Sequence, residues 1–200
     1  MTNTEFPSDS NVLSHIIQNR RTIKPGNYQD KEVPKQFVEK ILDNAQWAPS
    51  HGRTFPWRFF IYAGDARKGL ANTLCDIYRE ITTEETYREK KSVGLRQNIL
   101  KAPVVIAIAL KRDTTKKISE LDEVMAVACA TQNIHLTATS FGLGGFWSTH
   151  IAAMSEQFAA HLGLDHGDRA LGLFFLGYPQ TQWPIGDRGP ISKVSEWHGL

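Results

Sequence analysis

Apolar residues recur along this chain with two different periods, and their succession predicts helices interleaved with strands. Val12, Leu13, Ile16 and Ile17 lie at helical spacing and predict an amphipathic first helix, broken at Lys24-Pro25-Gly26. A second helix is predicted from about Pro34, a residue suited to a first helical turn, through Phe37, Val38, Ile41, Leu42 and Ala45. It stops near Ala48-Pro49-Ser50. The β-rich run from Pro56 to Tyr62 predicts a strand. Asp65 is the expected cap of a helix carrying Leu70, Leu74, Ile77 and Tyr78, and the charged stretch Thr82 to Lys91 reads as a mobile or outer helical region.

Ala102 to Leu110 is apolar without interruption, as in a strand buried on both faces; its length alone also admits a helix, and Pro103 at its start favours the strand. The longest helical pattern runs from about Ser119 to Phe141, through Met125, Ala128, Cys129, Ile134, Leu136 and Ala138, with Gly142 as its terminator. Gly144 to Trp147 predicts a short strand or bend, Ser155 to Leu162 a helix, and Arg169 to Leu176 a last buried strand. From Pro179 the chain is rich in Pro and Gly and is expected to run extended over a surface. There is no internal repeat and no linker. The expectation is one domain over residues 1–200, α+β or α/β, with helices covering a sheet.

Composition narrows the function classes. A net charge of +2 with interspersed signs gives no general reason to expect nucleic acid or membrane binding. Glu5 and Asp9 stand where an export signal needs cations and an apolar run, so the chain is read as cytoplasmic. Cys75 and Cys129 have no CxxC partner and read as reduced packing residues. His161, Asp165, His166 and Asp168 match no familiar metal-ligand spacing, so no metal is assigned. Gly142-x-Gly144-Gly145 follows a helix, whereas a dinucleotide fingerprint follows a strand and opens a helix.

Candidate chemistry concentrates in Gln18-Asn19-Arg20-Arg21-Thr22-Ile23-Lys24, where three cations and a hydroxyl fall within five residues. Guanidinium forks with a hydroxyl and an ammonium suit a phosphate monoester. A basic cluster by itself also reads as solvated surface. Trp57 and Phe59 read as core residues of their strand, Trp147 as core or ligand contact, and His51 alone as an ordinary loop histidine.

Six motifs occur in one order: Asn19-Arg20-Arg21-Thr22; Ala48-Pro49-Ser50-His51; Pro56-Trp57-Arg58-Phe59; the long helix ending Gly142-Leu143-Gly144-Gly145-Phe146-Trp147; Leu176-Gly177-Tyr178-Pro179; and the late Arg188. This order resembles the nitroreductase family of FMN-dependent oxidoreductases, and in particular its small YdjA-like bacterial members, over nearly the whole chain. The resemblance implies an α+β sandwich with a central, mostly antiparallel sheet flanked by helices, and a homodimer with FMN at the subunit interface. Arg20, Arg21 and Thr22 resemble the segment binding the FMN phosphate and ribityl chain, with Lys24 near enough to help. Trp47 and His51 resemble positions reaching FMN from the partner subunit. Trp147, Ser148 and Thr149 resemble the segment contacting the flavin, and Arg188 a late cation that meets the phosphate.

The implied activity takes hydride from NAD(P)H onto flavin and reduces an electron-poor acceptor, a nitroaromatic or quinone, in alternating half-reactions. No side chain needs a dedicated catalytic role, because the flavin carries the chemistry. Gly142, Gly144 and Gly145 are expected to let backbone approach the flavin ring. Two departures stand out: Arg53 and Phe55 where relatives often carry Asn and Gln, and Gly186 where larger relatives carry a second late cation. A dehydrogenase or dehalogenase on the same fold, and a non-catalytic flavin-binding or redox-sensing module, are the alternative readings.

Overall fold

The computed structural model describes residues 7–115 and 117–199, so Glu5 lies outside the described residues. Four strands form one antiparallel sheet in the order β1-β2-β4-β3, where β1 is Trp57–Ala63, β2 Val104–Leu110, β3 Gly144–Ser148 and β4 Arg169–Gly177. Six α-helices are found among the described residues: α1 (Ser8–Asn19), α2 (Lys35–Ala45), α3 (Ala66–Glu80), α4 (Glu89–Lys101), α5 (Glu120–Ser140) and α6 (Glu156–His161). The fold is α+β, and the uninterrupted apolar run at 102–110 becomes the fully buried inner strand β2.

Strand side chains alternate between faces, so each inner strand feeds two cores. Val105, Ala107, Leu173 and Phe175 join Leu70, Leu74, Ile77, Tyr78, Leu95 and Ile99 of α3 and α4 on one side. Ile106, Ile108, Phe174 and Leu176 join Val38 and Ile41 of α2 and Val127 and Ile134 of α5 on the other. The ladder between β2 and β4 slips by one residue, Ala107 pairing with Leu173 and Ala109 with Ala170. Gly172 takes up this bulge at φ +108°, and a side chain there would strike the Ser148 carbonyl oxygen.

Several local expectations change. Asp65 precedes α3 but makes no capping hydrogen bond; it pairs with Lys68 at 2.7 Å. The charged stretch holds a turn at 84–86 and runs into α4, which begins at Glu89 and presents Leu95 and Ile99 to the core. Helix α1 buries no residue, leaving Val12, Leu13 and Ile17 exposed. Helix α5 is capped by Ser119, whose Oγ accepts from Asp122 N, and it has two apolar faces. Ile134 and Ala138 are buried, whereas Met125, Ala128 and Cys129 face outward with Leu121, which is 67% exposed. Cys129 is therefore an exposed thiol and not a packing residue of this chain.

Candidate functional site

The cation-bearing segment leaves α1 at Arg20 and continues as an extension of the sheet. Thr22 forms a parallel bridge with Gly145 of edge strand β3, and Ile23 N donates to Gly145 O at 3.0 Å. Tyr28 Oη, fully buried, donates to Ile23 O at 2.8 Å. On α5 the His135 Nε2 lies 3.0 Å from Arg21 O. The parallel direction leads Lys24 toward the Trp147–Thr149 end of β3. Lys24 and Thr22 are exposed, while Arg20 and Arg21 are half-buried.

The late residues run beside this segment. Gln180 N donates to Asn27 O at 2.9 Å, Trp183 Nε1 donates to Asn19 O at 2.5 Å, and Arg188 lies close enough to Arg20 to act on its charge. Burial, then Arg21, then Arg188 push the Arg20 guanidinium below its ordinary value, although it stays protonated at neutral pH. Among the described residues none of Arg20, Arg21 and Arg188 forms a salt bridge with a carboxylate. Arg21 donates through Nη2 to Gln18 O, and its buried Nε has no partner. Three guanidiniums without a counter-ion, one with an orphaned donor, fit an anionic ligand.

Gly186 acquires a physical reason. A Cβ there would fall inside the guanidinium of Arg21, so the space of a second late cation is already filled. Gly186→Lys is therefore expected to displace Arg21 and weaken binding of a phosphate ligand by about tenfold. Titration of the flavin-free protein with FMN checks this, and tighter binding would contradict it.

The remaining candidates divide. Trp147 is half-buried and packs toward the α2–α5 core, with Nε1 donating to Leu171 O at 2.9 Å; Ser148 is half-buried and Thr149 exposed. Gly144 and Gly145 do not open space for a ligand ring. A side chain at Gly144 would collide with Ile23, and one at Gly145 with His135 and Phe174, so these glycines serve internal packing. Gly142, at φ +71°, ends the α5 region.

Trp47 and His51 lie elsewhere in the same chain. Helix α2 and the residues after it track backward along α5: Phe37 stacks on Phe141, Asn44 bonds Thr137, and His51 Nδ1 meets Asp122 at 3.4 Å. The 13 positions from Asp122 to His135 span roughly 20 Å of helix. Hydrogen bonds from Ser119 first and His51 second hold the Asp122 carboxyl below its usual range. Trp47 is 82% exposed, and Phe55 of the adjoining loop is also exposed. Arg53 and Phe55 both take positive φ, 54° and 46°, a local strain retained beside these candidates. A cavity of about 620 Å³ is lined by residues including Arg112, Glu120, Asp168 and Arg169 and by none of the ten candidates. Asp168 there accepts from Arg112 N and Asp165 N.

His135 is a further candidate that the sequence did not single out, since it lies among the apolar positions of α5. It is 7% exposed, and burial first, then Arg20, lower its pKa to about 4. A histidine kept neutral by folding costs stability as pH falls from 6.5 toward 4, because only the unfolded chain gains the proton in that window. Urea unfolding is expected to show a loss on the order of 3 kcal/mol across it, reduced in His135→Gln. An equal loss in both proteins would refute this assignment.

The site thus belongs to an α+β protein with a carboxylate-free arginine cluster at its sheet edge. The chain belongs to the nitroreductase family, an oxidoreductase family whose sequence model matches residues 17–178. It is 26% identical over 192 residues to YfhC of Bacillus subtilis, a candidate NAD(P)H nitroreductase by name, with 96% of each chain covered. A nitroreductase-like protein from Bacillus cereus superposes with a TM-score of 0.81 at 28% identity, covering 98% of this chain and 99% of that one. The FMN-dependent nitroreductase NfnB from Mycobacterium smegmatis, solved with NADPH, shares the fold with a TM-score of 0.74 at 18% identity, covering 96% of this chain and all of that one.

Proposed function

We propose that this single-domain chain is an FMN-dependent NAD(P)H oxidoreductase acting as a homodimer on an electron-poor small molecule, a nitroaromatic or quinone. The observation that carries the reading is the arginine cluster with its orphaned Arg21 Nε. Arg20, Arg21 and Arg188 would hold the FMN phosphate, with Thr22 and Lys24 adding donors. FMN, when bound, supplies the redox chemistry, accepting hydride from NAD(P)H and passing it to the acceptor in alternating half-reactions. Trp147 and Ser148, the end of β3, and Thr149 just after it would border the flavin. The chain's own residues bind and orient; none is assigned a nucleophilic or proton-transfer role.

The names of two relatives support the cofactors: NfnB is FMN-dependent and was solved with NADPH, and YfhC is a candidate NAD(P)H enzyme. Two features support the dimer. The outward stripe Leu121, Met125 and Cys129 of α5 is exposed, with no cover among the described residues. In addition, Trp47 and His51 stand far along α5 from the arginines, and an antiparallel α5 pairing brings one copy's His51 end beside the other's arginine end. Trp47 and Phe55 would then exclude water from the partner's flavin. No helix among the described residues is long and apolar enough to cross a membrane, and a cytoplasmic location is part of this proposal.

Anaerobic visible spectra of the FMN-reconstituted protein, taken before and after NADPH or NADH, test the reading. Bleaching by either nucleotide is expected. Flavin that binds but is reduced by neither would favour a non-catalytic flavin module, and failure to bind flavin would overturn the proposal.

A further inference from the structure

We infer that His135 is a positioning residue of the phosphate cradle, holding the Arg20–Arg21–Thr22 backbone through its imidazole Nε2–H. The inference rests on the FMN reading above and adds to it a residue that touches neither flavin nor substrate. The geometry is specific. The Nε2 atom is 3.0 Å from the Arg21 carbonyl oxygen, which lies at the centre of the segment bearing the guanidiniums. The ring is held from behind by Phe174, edge to face at 5.1 Å and 83°. Beside it, Gly145 leaves room for the ring: a Cβ at 145 would come within 2.8 Å of His135 Cδ2. Gly145 O in turn receives Ile23 N at 3.0 Å.

One buried block on α5, β3 and β4 therefore fixes the segment at two points, Arg21 O and Ile23 N. In an extended run, alternate side chains point to opposite sides. Anchoring the Arg21 carbonyl thus sets how the side chains of residues 20 and 22 leave the backbone. The chemistry of the anchor matters as well. A carbonyl oxygen needs a donor, yet the Arg20 guanidinium already acts on this imidazole and is itself opposed by Arg21 and Arg188, and a permanently charged donor would add a fourth cation in a buried position. An imidazole kept neutral by burial and by Arg20 supplies the donor without the charge.

Flavin-free protein titrated with FMN and with riboflavin, which lacks the phosphate, tests this. His135→Phe keeps the ring and deletes the donor; it is expected to weaken FMN binding by about tenfold and to leave riboflavin within about twofold. His135→Gln, which can return an N–H, is expected to recover most of the FMN affinity. Equal weakening of both ligands, or no change in either, would overturn the positioning role. Arg20→Ala separates the two claims: if it leaves the FMN-to-riboflavin ratio unchanged, the phosphate reading itself fails, whatever His135 does. Should His135→Phe not fold, imidazole ¹⁵N spectra of the unsubstituted protein decide instead. A neutral ring protonated on Nε2 supports the inference, and a proton on Nδ1 overturns it.

Discussion

Arg20→Ala is expected to weaken FMN binding by about ten- to a hundredfold while leaving riboflavin affinity within about twofold. Arg20 is half-buried, and its charge is already opposed by Arg21 and Arg188. In the folded protein without a ligand these charges repel, so an arriving phosphate gains attraction and relieves repulsion together. Removing one guanidinium forfeits part of both effects, and only for a ligand that carries the phosphate. The residual FMN affinity of the variant is also expected to depend less on salt than that of the unsubstituted protein, since fewer cations remain to be screened. Parallel fluorescence titrations at two ionic strengths measure both quantities, and an undiminished preference for FMN over riboflavin would place the phosphate elsewhere.

Glu123→Ala is expected to destabilise the fold by about 3–5 kcal/mol, the range for breaking a buried ion pair by removing one partner. Glu123 on α5 is 1% exposed; one carboxylate oxygen accepts from Arg112 Nε and the other from Asp113 N at 3.1 Å. Arg112 is itself only 14% exposed, and without Glu123 its remaining carboxylate partner is Glu120 at 3.4 Å. The variant leaves a buried cation poorly compensated and a backbone donor without its acceptor. Replacing both members, Arg112→Met with Glu123→Leu, is expected to recover much of the loss, because the uncompensated charge goes with its partner. Urea unfolding at one fixed protein concentration is the measurement, since any self-association contributes to apparent stability. A single variant as stable as the unsubstituted protein would show that solvent reaches this pair.

The parts of the fold legible in the sequence were those where burial is one-sided or complete. Strand β2 could be read because all seven of its residues are buried, and α3 because Leu70, Leu74, Ile77 and Tyr78 share one face. Helix α4 was missed because Glu89, Lys90 and Lys91 open it, and its core contacts Leu95 and Ile99 are too few to impose a period on the window. Helix α5 was found but not understood, since its outward apolar residues blur the face that packs on the sheet. At the candidate site, the cationic segment stood out by charge density, a signal that by itself also fits a solvated surface. The purpose of Gly144 and Gly145 was not legible, because what fills the space beside a glycine comes from distant residues, here Ile23, His135 and Phe174. His135 itself carried no local signal, as its partner Arg21 lies 114 positions away in the chain.

The pairing of residues 19–29 with residues 178–188 has a consequence for biosynthesis. Arg20 and Arg21 are made long before Trp183, which bonds Asn19, and Arg188, whose charge acts on Arg20. The β1–β2 strand pair, with α3 and α4 between its strands, lies wholly upstream of the third guanidinium of the proposed cradle. The proposed phosphate cradle therefore needs residues 183–188 as well as the early segment, and a released chain cut before residue 183 is expected to hold FMN more weakly than the unsubstituted protein.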